Sequence, residues 1–466
     1  MYSTQTLSLK KSHPLYETYL DYLISARNLY NQCLFYCRNV FTGGYKLKEG
    51  KDLFDNEKEA ITFVNDNLSL VNEGTPDRFK EITKDNYILS YYHLQKLLYK
   101  SNCECYFNNS LPAQTRNKII DLACINMKSF FFRSIKVYNQ NKGKFLGRPK
   151  LPSYRNNYQW VTFEIPNLSG KIKEVDGKYY FYCKKGDYIY LGTKVHNGRL
   201  IKTSVSYEYG NIVLRLVFEE SDIPLKEDNN RYLGIDLGID NFATISNNIG
   251  VIPIVIKGKV MKSKNQWFNK RKAELTSCYK LCQLQNKQGV ISSKQLDSLS
   301  SNRSNYFRDV FHKISKYIVS YALENNISKI VIGNNKGLKL ESNMGKVNNQ
   351  TFVSIPFSQF INILKDKCSR FGIEVIEQEE SYTSKSSMLD LDILPVYNKD
   401  FETISYLFKG KRNKTKEYYS DTYGYIHADV NGASNILRKH NIDSFNGLDL
   451  SYLQQIPIGI YGNVYM

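Results

Sequence analysis

No apolar run in these 466 residues approaches the ~20 needed to cross a bilayer, so no membrane association is expected. The opening MYSTQTLSLKKSHPLYETYL lacks a secretory hydrophobic region. The nine cysteines are scattered, with close pairs only at Cys33/Cys37, Cys103/Cys105 and Cys278/Cys282. None has the C-x₂-C spacing of a zinc site, and none follows Cys368. Reduced thiols inside a cell and no zinc are the expectation. Carboxylates are in short supply as well: 45 acids face 64 lysines and arginines, giving a net charge of +19 and a pI near 9.2. That excess predicts a polyanionic partner, nucleic acid above all. What the chain has in quantity is aromatic surface. Its 37 tyrosines and 24 phenylalanines add stacking area for unpaired bases, with most of them expected in cores.

At this length two or three domains are expected. Tyr16, Leu20, Leu23 and Ile24 recur at helical spacing, and further helical stretches are predicted near 78–100 and 113–138, with a polar interruption around 41–58. KGKFLGRPKLPSYR (142–155) cannot continue a helix. Its Lys142, Lys144, Arg148, Lys150 and Arg155 suit phosphate contact or a solvated junction equally. From 159 to 220 short strands alternate with turns, ending in a hairpin around Gly210-Asn211, which suggests a small antiparallel barrel. RYLGIDLGIDNFATISNNIGVIPIVIKG (231–258) predicts two strands around another Asn/Gly turn. A helical pair follows over about 262–325. Then come the strand KIVIG, a helix near 355–370, the strand GIEVIEQEE, an irregular stretch over 388–425 and a helix after Asp429. That is the element order of an RNase H-like α/β domain.

Such a nuclease needs about three carboxylates converging from different elements to hold two Mg²⁺ ions roughly 4 Å apart. Oxygen ligands suffice for Mg²⁺, so histidine and cysteine are not required. Asp236 in LGIDLGID is the first candidate, because an acid inside an apolar strand is costly unless paired or bound to metal. Asp240, two residues on, reads as a turn acid. Asp429 in HADVNGASNIL is the second, in competition with a helix-capping role. The loop after KIVIG, Gly333-Asn334-Asn335, offers amides where an acid would be useful.

GIDLGIDNFATI, FRDVFHKISKYIV, KIVIGNNKGLK and ADVNGASNIL resemble the RuvC segments of transposon-encoded TnpB nucleases, whose relatives include the Fanzor proteins and compact type V CRISPR effectors. LPAQTRNKIIDLACINMKSFFFRS with GRPKLPSYR resembles the segment joining their helical lobe to a wedge barrel. KSKNQWFNKRKAEL resembles a RuvC insertion of one TnpB branch. The resemblance runs over about 110–440. It implies an α+β multidomain chain: a first wedge strand (1–15), a helical recognition lobe (16–141), a wedge β-barrel (142–228), and a RuvC domain (229–440). The RuvC domain would carry a helical insertion at about 262–325 and a reduced, cysteine-free insertion at about 381–426, and a tail (441–466) would follow. It also implies RNA-guided, Mg²⁺-dependent cleavage of double-stranded DNA by a monomeric ribonucleoprotein, with two ions, Mn²⁺ as a substitute, and a short motif flanking the target. The compartment would follow the host: cytoplasm in a bacterium, nucleus or viral compartment otherwise.

Two departures stand out. TnpB proteins mostly carry the second acid where this chain has Gly333-Asn334, and mostly carry a zinc ribbon whose cysteines are missing here. A glutamate from EQEESYTSKSS (377–387), on the strand expected beside KIVIG, could lean across the bare Gly333, since strands lie about 4.8 Å apart. Glu380 is assigned that role, with Glu379 and Glu377 as competitors. A nuclease-dead, RNA-guided repressor and a DNA-joining transposase of the same fold are the rival readings.

Overall fold

The computed structural model describes residues 2–75, 78–107, 110–141, 147–193, 198–286, 293–334, 355–396, 406–413 and 416–461, with backbone alone at 281–286. The chain divides into two compact units, residues 1–221 and 222–466. Both mix helix and strand.

The first unit opens with β1 (Tyr2–Leu9) and a 33-residue helix α1 (Tyr16–Lys48). The polar interruption expected around 41–58 is narrower: α1 continues to Lys48, and the break falls at 49–54, before the next helix. Gly43 and Gly44 permit that continuation, because a side chain at Gly44 would collide with Tyr87. Shorter helices follow: α2 (Asp55–Asp66), α3 (Leu68–Asn72), α4 (Tyr91–Lys100), α5 (Glu104–Phe107), α6 (Ala113–Lys128) and, after a π-helical stretch at Ser129–Ile135, α7 (Lys136–Gln140). The helix expected over 78–100 is confined to its last ten residues. Phe79, Ile82 and Leu89 join the first unit's core from bends and irregular chain rather than from a helix.

His93 on α4 is 5% exposed, stacks on Phe79 with centroids 4.8 Å apart, and has no hydrogen-bond partner at its buried Nε2. Burial lowers its pKa to about 4. The unfolded chain therefore takes up this proton first as pH falls. Stability that is complete above 6.5 is lost on the way down to about 4, amounting to about 2 kcal/mol at pH 5. Thermal unfolding of the wild type and His93→Phe between pH 7 and 5 should show a flatter pH dependence for the variant.

After the helices come β2 (Phe163–Pro166), β3 (Lys171–Val175), β4 (Lys178–Tyr182), β5 (Ile189–Gly192), β6 (Arg199–Glu208) and β7 (Asn211–Glu219). They form two sheets, β1-β7-β6-β2 and β3-β4-β5, all with antiparallel pairs. The β6–β7 turn falls on Tyr209-Gly210, one residue earlier than expected. Both have positive φ, the backbone that a tight two-residue hairpin turn requires. Strand β3, rich in lysine, was not anticipated.

The second unit is built on one six-stranded sheet in the order β12-β11-β8-β9-β10-β16. Its strands are β8 (Tyr232–Leu237), β9 (Asn241–Asn247), β10 (Ile254–Lys257), β11 (Lys329–Gly333), β12 (Glu374–Gln378) and β16 (Ile458–Ile460). Strands β8, β9 and β10 are antiparallel neighbours, whereas β11 runs parallel to both β8 and β12. The segment expected as a tail supplies β16, with Ile458 beside Ile254 on the sheet edge. The expected helical pair is α8 (Lys259–Asn286) and α9 (Lys294–Glu324). Phe307, Phe311, Ile314 and Ile318 of α9 join Phe357, Phe360 and Leu364 of α10 (Phe357–Ser369) in a core with the sheet's Ile235, Ile330 and Ile332. A second core holds Val430 and Leu437 of α11 (Ala428–His440) with Tyr232, Met388 and Tyr418. The stretch expected as irregular contains a small sheet of β13 (Gly410–Arg412), β14 (Glu417–Ser420) and β15 (Gly424–His427). A four-residue helix α12 (Ser451–Gln454) precedes β16. Among the described residues no helix is long and apolar enough to cross a membrane.

Candidate active site

The register places two of the candidates, Asp236 and Glu380, on one face of the second unit's sheet. Ile332 lies beside Ile235, so one step further Gly333 stands beside Asp236. On its other flank Gly333 pairs with Gln378, and Glu380 follows two residues beyond, with the same strand parity. Helix α11 covers this face. A side chain at Gly234 would strike the carbonyl of Ala433, and a Cβ at Gly432 would stand 2.9 Å from Asp236 Oδ2. The small residues of NGAS thus let the helix sit directly on Asp236.

Gly333 carries the same logic further. A Cβ there would collide with Glu380 Oε2 and would stand 2.6 Å from Ile436 Cδ1. The Glu380 carboxylate occupies the volume that a side chain at the end of β11 would fill. The competing glutamates are engaged elsewhere. Glu377 accepts from Asn334 Nδ2 at 2.5 Å and pairs with Lys365. Glu379 pairs with Lys439 and accepts from the Ser381 amide at 2.6 Å.

Asp429 lies in the first turn of α11, which begins one residue before it rather than after it. The cap is His427, whose Nδ1 accepts from the Asp429 amide at 3.3 Å, so the Asp429 carboxylate is not used for capping. Its Oδ1 pairs with Arg412 at 2.9 Å and its Oδ2 accepts from Asn241 Nδ2 at 2.7 Å. Lys257 Nζ in turn donates to Asn241 Oδ1 at 3.3 Å. Asp240 is the turn acid it was taken for, paired with Lys262 at 2.8 Å and Lys416 at 3.5 Å.

The electrostatics follow from this crowding. Burial, then the nearby charges of Glu380 and Asp429, raise the Asp236 pKa well above the usual carboxylate range, against a weaker opposing pull from Arg412. Burial and the charge of Glu379 raise Glu380 to about 7, again against Lys439. Among the described residues no three His, Cys, Asp or Glu side chains are drawn into a ready-made metal cluster.

Asn431 and Asn435 are fully buried and bond to backbone rather than to the acids. Asn431 Oδ1 accepts from the Met388 amide at 2.8 Å, and its Nδ2 donates to the Ser386 carbonyl at 2.9 Å. Asn435 Nδ2 donates to the carbonyls of Thr383 and Ser386. They fasten the loop that follows Glu380 to α11, which fixes where Glu380 can reach. Sequence reasoning also missed Arg412 and Asn241. Only the NF after GID hinted at the latter.

Of the basic residues suggested for phosphate contact, Lys142 and Lys144 lie outside the described residues. Arg148 and Lys150 are exposed. Arg155 is half-buried, its backbone bonded to both ends of the Asn31 amide on α1 at 2.8 Å, with the guanidinium 5.9 Å from the Tyr30 ring. It acts as a strap to α1 before it acts as a surface cation.

Residues 206–339 match the family OrfB_IS605, described as a probable transposase. Residues 357–436 match the family described as Cas12f1-like, TNB domain. No curated protein matches the chain. Among solved structures, a Cas12f1-sgRNA-target DNA complex is 14% identical over 93% of this chain and 98% of that one, with a TM-score of 0.33. A CRISPR-Cas12f ternary complex is 13% identical over 93% and 82%, with a TM-score of 0.33. The AacC2c1-sgRNA-extended non-target DNA ternary complex is 8% identical over 90% and 70%, with a TM-score of 0.38. TM-scores of this size are too low to argue from. The two family matches meet the resemblance read in the sequence: over these stretches the chain is similar to OrfB_IS605 transposases and to the Cas12f1-like TNB domain, as a TnpB-like protein would be.

Proposed function

We propose that this protein is an RNA-guided, Mg²⁺-dependent DNA endonuclease of the TnpB kind, with Asp236, Glu380 and Asp429 as its metal-holding acids and an RNase H-like sheet as their platform. The observation that carries the reading is the Glu380 carboxylate lying over Gly333, beside Asp236. It supplies the acid whose absence from the KIVIG loop favoured a nuclease-dead repressor. The donor set fits a hard divalent cation: all oxygens, with like charges crowded until two of the carboxyls titrate high. Bound there, Mg²⁺ would activate water and stabilise the leaving oxygen of a phosphodiester. The chain's own contribution is orientation. Asn241 fixes one oxygen of Asp429, α11 presses on Asp236 through Gly432, and the Asn431/Asn435 clamp fixes the loop behind Glu380. In this state Arg412 is the cation that answers Asp429.

The partner in this reading is a guide RNA that pairs with one strand of duplex DNA, in a monomeric ribonucleoprotein. Purified protein should carry one discrete structured RNA, identified by sequencing what copurifies. Programmed duplex cleavage should proceed with Mg²⁺ or Mn²⁺ and stop in EDTA, while a zinc-selective chelator leaves it unchanged. DNA binding should weaken steeply with salt, since several phosphates are neutralised together. Specific cleavage by RNA-free protein would contradict the reading. Guided binding without cleavage by the wild type would give the case to the repressor.

A further inference from the structure

The sheet β3-β4-β5 has two unlike faces. One is apolar and covered: Phe181 and Ile189 are buried in the first unit's core, and Ile172 and Tyr179 pack against it. Glu174 pairs in register with Tyr179, so by strand parity the sheet's only strand carboxylate belongs with Ile172 and Tyr179, opposite the second face, and is exposed on the edge strand. The alternate residues make the other face. Lys171 and Lys173 of β3 lie opposite Tyr182 and Tyr180 of β4, and Tyr180 lies opposite Tyr190 of β5. Tyr188 completes the set, 5.3 Å from Tyr182 and 6.4 Å from Tyr180 between ring centroids. The Tyr180 and Tyr190 rings are 5.6 Å apart. Tyr188 and Tyr190 remain 38% and 49% exposed, and both lysines are exposed. Four tyrosines on a strand face beside two unpaired-face lysines are poorly explained by folding, which needs only the opposite side.

We propose that this tyrosine face is a stacking platform for unpaired bases of the RNA the chain binds, with Lys171 and Lys173 on the adjoining phosphates. The inference rests on the RNA-guided reading above and adds where an unpaired stretch of that RNA sits. The two cross-strand tyrosine pairs, Tyr180/Tyr190 and Tyr182/Tyr188, are two residues apart along β4, roughly 7 Å. That separation accommodates two splayed bases, one over each pair, which is how aromatic sheet faces take single-stranded RNA. Charge selects a polyanion over an apolar peptide, because by strand parity the face carries Lys171, Lys173 and Lys178 and no strand carboxylate. A phenol offers every base a π surface, so the platform would be tolerant of sequence.

The test uses the full-length ribonucleoprotein. Ultraviolet cross-linking followed by peptide mapping should place an RNA nucleotide on the segment 178–190. Tyr180→Ala with Tyr190→Ala should remove the cross-link at positions 180 and 190, leave the one at Tyr182 or Tyr188, and weaken RNA binding roughly 5- to 100-fold, the loss expected for one stacked base. The paired Phe variants should stay within about twofold, since they keep the ring. Lys171→Glu with Lys173→Glu, at exposed positions, should weaken binding in low salt and lose that effect in high salt. If the wild type holds no RNA, the RNA-guided reading itself is wrong. If it holds RNA while the Ala and Glu variants bind it as well as the wild type and no cross-link maps to 178–190, the platform is wrong. A cross-link from this segment to target DNA alone also overturns it.

Discussion

Replacing Glu380 with alanine should abolish cleavage as completely as Asp236→Ala or Asp429→Ala, while guide-directed DNA binding survives in all three. Each variant removes one of the acids that would hold the metal, and bond breaking depends on those ions far more than base pairing does. The same experiment on the neighbours discriminates between acids that share a strand end. Glu379→Ala breaks an ion pair with Lys439, and Glu377→Ala breaks one with Lys365. Both should keep cleavage within about tenfold of wild type, because neither carboxylate reaches Gly333. Rates measured on a guide-matched duplex at saturating Mg²⁺ decide the matter. Wild-type cleavage by Glu380→Ala would remove Glu380 from the site and return Glu379 and Glu377 to contention.

The parts of this site that were legible in the sequence are those written in local chemistry. Asp236 interrupts an apolar strand, and Asp429 heads a helix whose Gly432-Ala433-Ser434 announces close packing. Both signals lie within a few residues of the acid itself. The third acid is assigned to Glu380 from the sequence with Glu379 and Glu377 as competitors, because strand parity depends on Gly333 pairing with Gln378 across 45 positions of chain. Arg412 was not legible at all. It sits on a three-residue strand, GKR, paired with EYYS and GYIH, and segments so short and polar carry no periodicity. The helix expected near 78–100 is realised only over 91–100 for the converse reason: Phe79, Ile82 and Leu89 have helical spacing but enter the core from irregular chain. Helix α1 runs further into the polar stretch around 41–58 than the composition suggests, and Gly44 lets Tyr87 pack directly on it there.

The volume over Gly333 leads to the second large effect. Gly333→Ala adds one methyl group at a position where the backbone itself is ordinary, so the change imposes no dihedral strain. It does demand space already held by Glu380 Oε2 and by Ile436 Cδ1. The Ile436 terminus can rotate away. The carboxylate can give way only by leaving the position beside Asp236, and a displacement near 1 Å is enough to cost about 100-fold in rate. Gly333→Ala should therefore lower cleavage by about two orders of magnitude with guided binding little changed, and should lower the melting temperature by the few degrees that overpacking of about 1–3 kcal/mol costs. The two changes should not be additive. In a Glu380→Ala background, already inactive, Gly333→Ala should leave the melting temperature within a degree or so, since the bulkier competitor for the space has gone. Restoring the acid by Gly333→Glu in that background meets Ile436 again, so rescue should require Ile436→Ala as a third change, seen as cleavage rising above the Glu380→Ala baseline. Full wild-type activity in Gly333→Ala would show that Glu380 does not work from the place it occupies over Gly333, and the assignment of the third acid would fall with it.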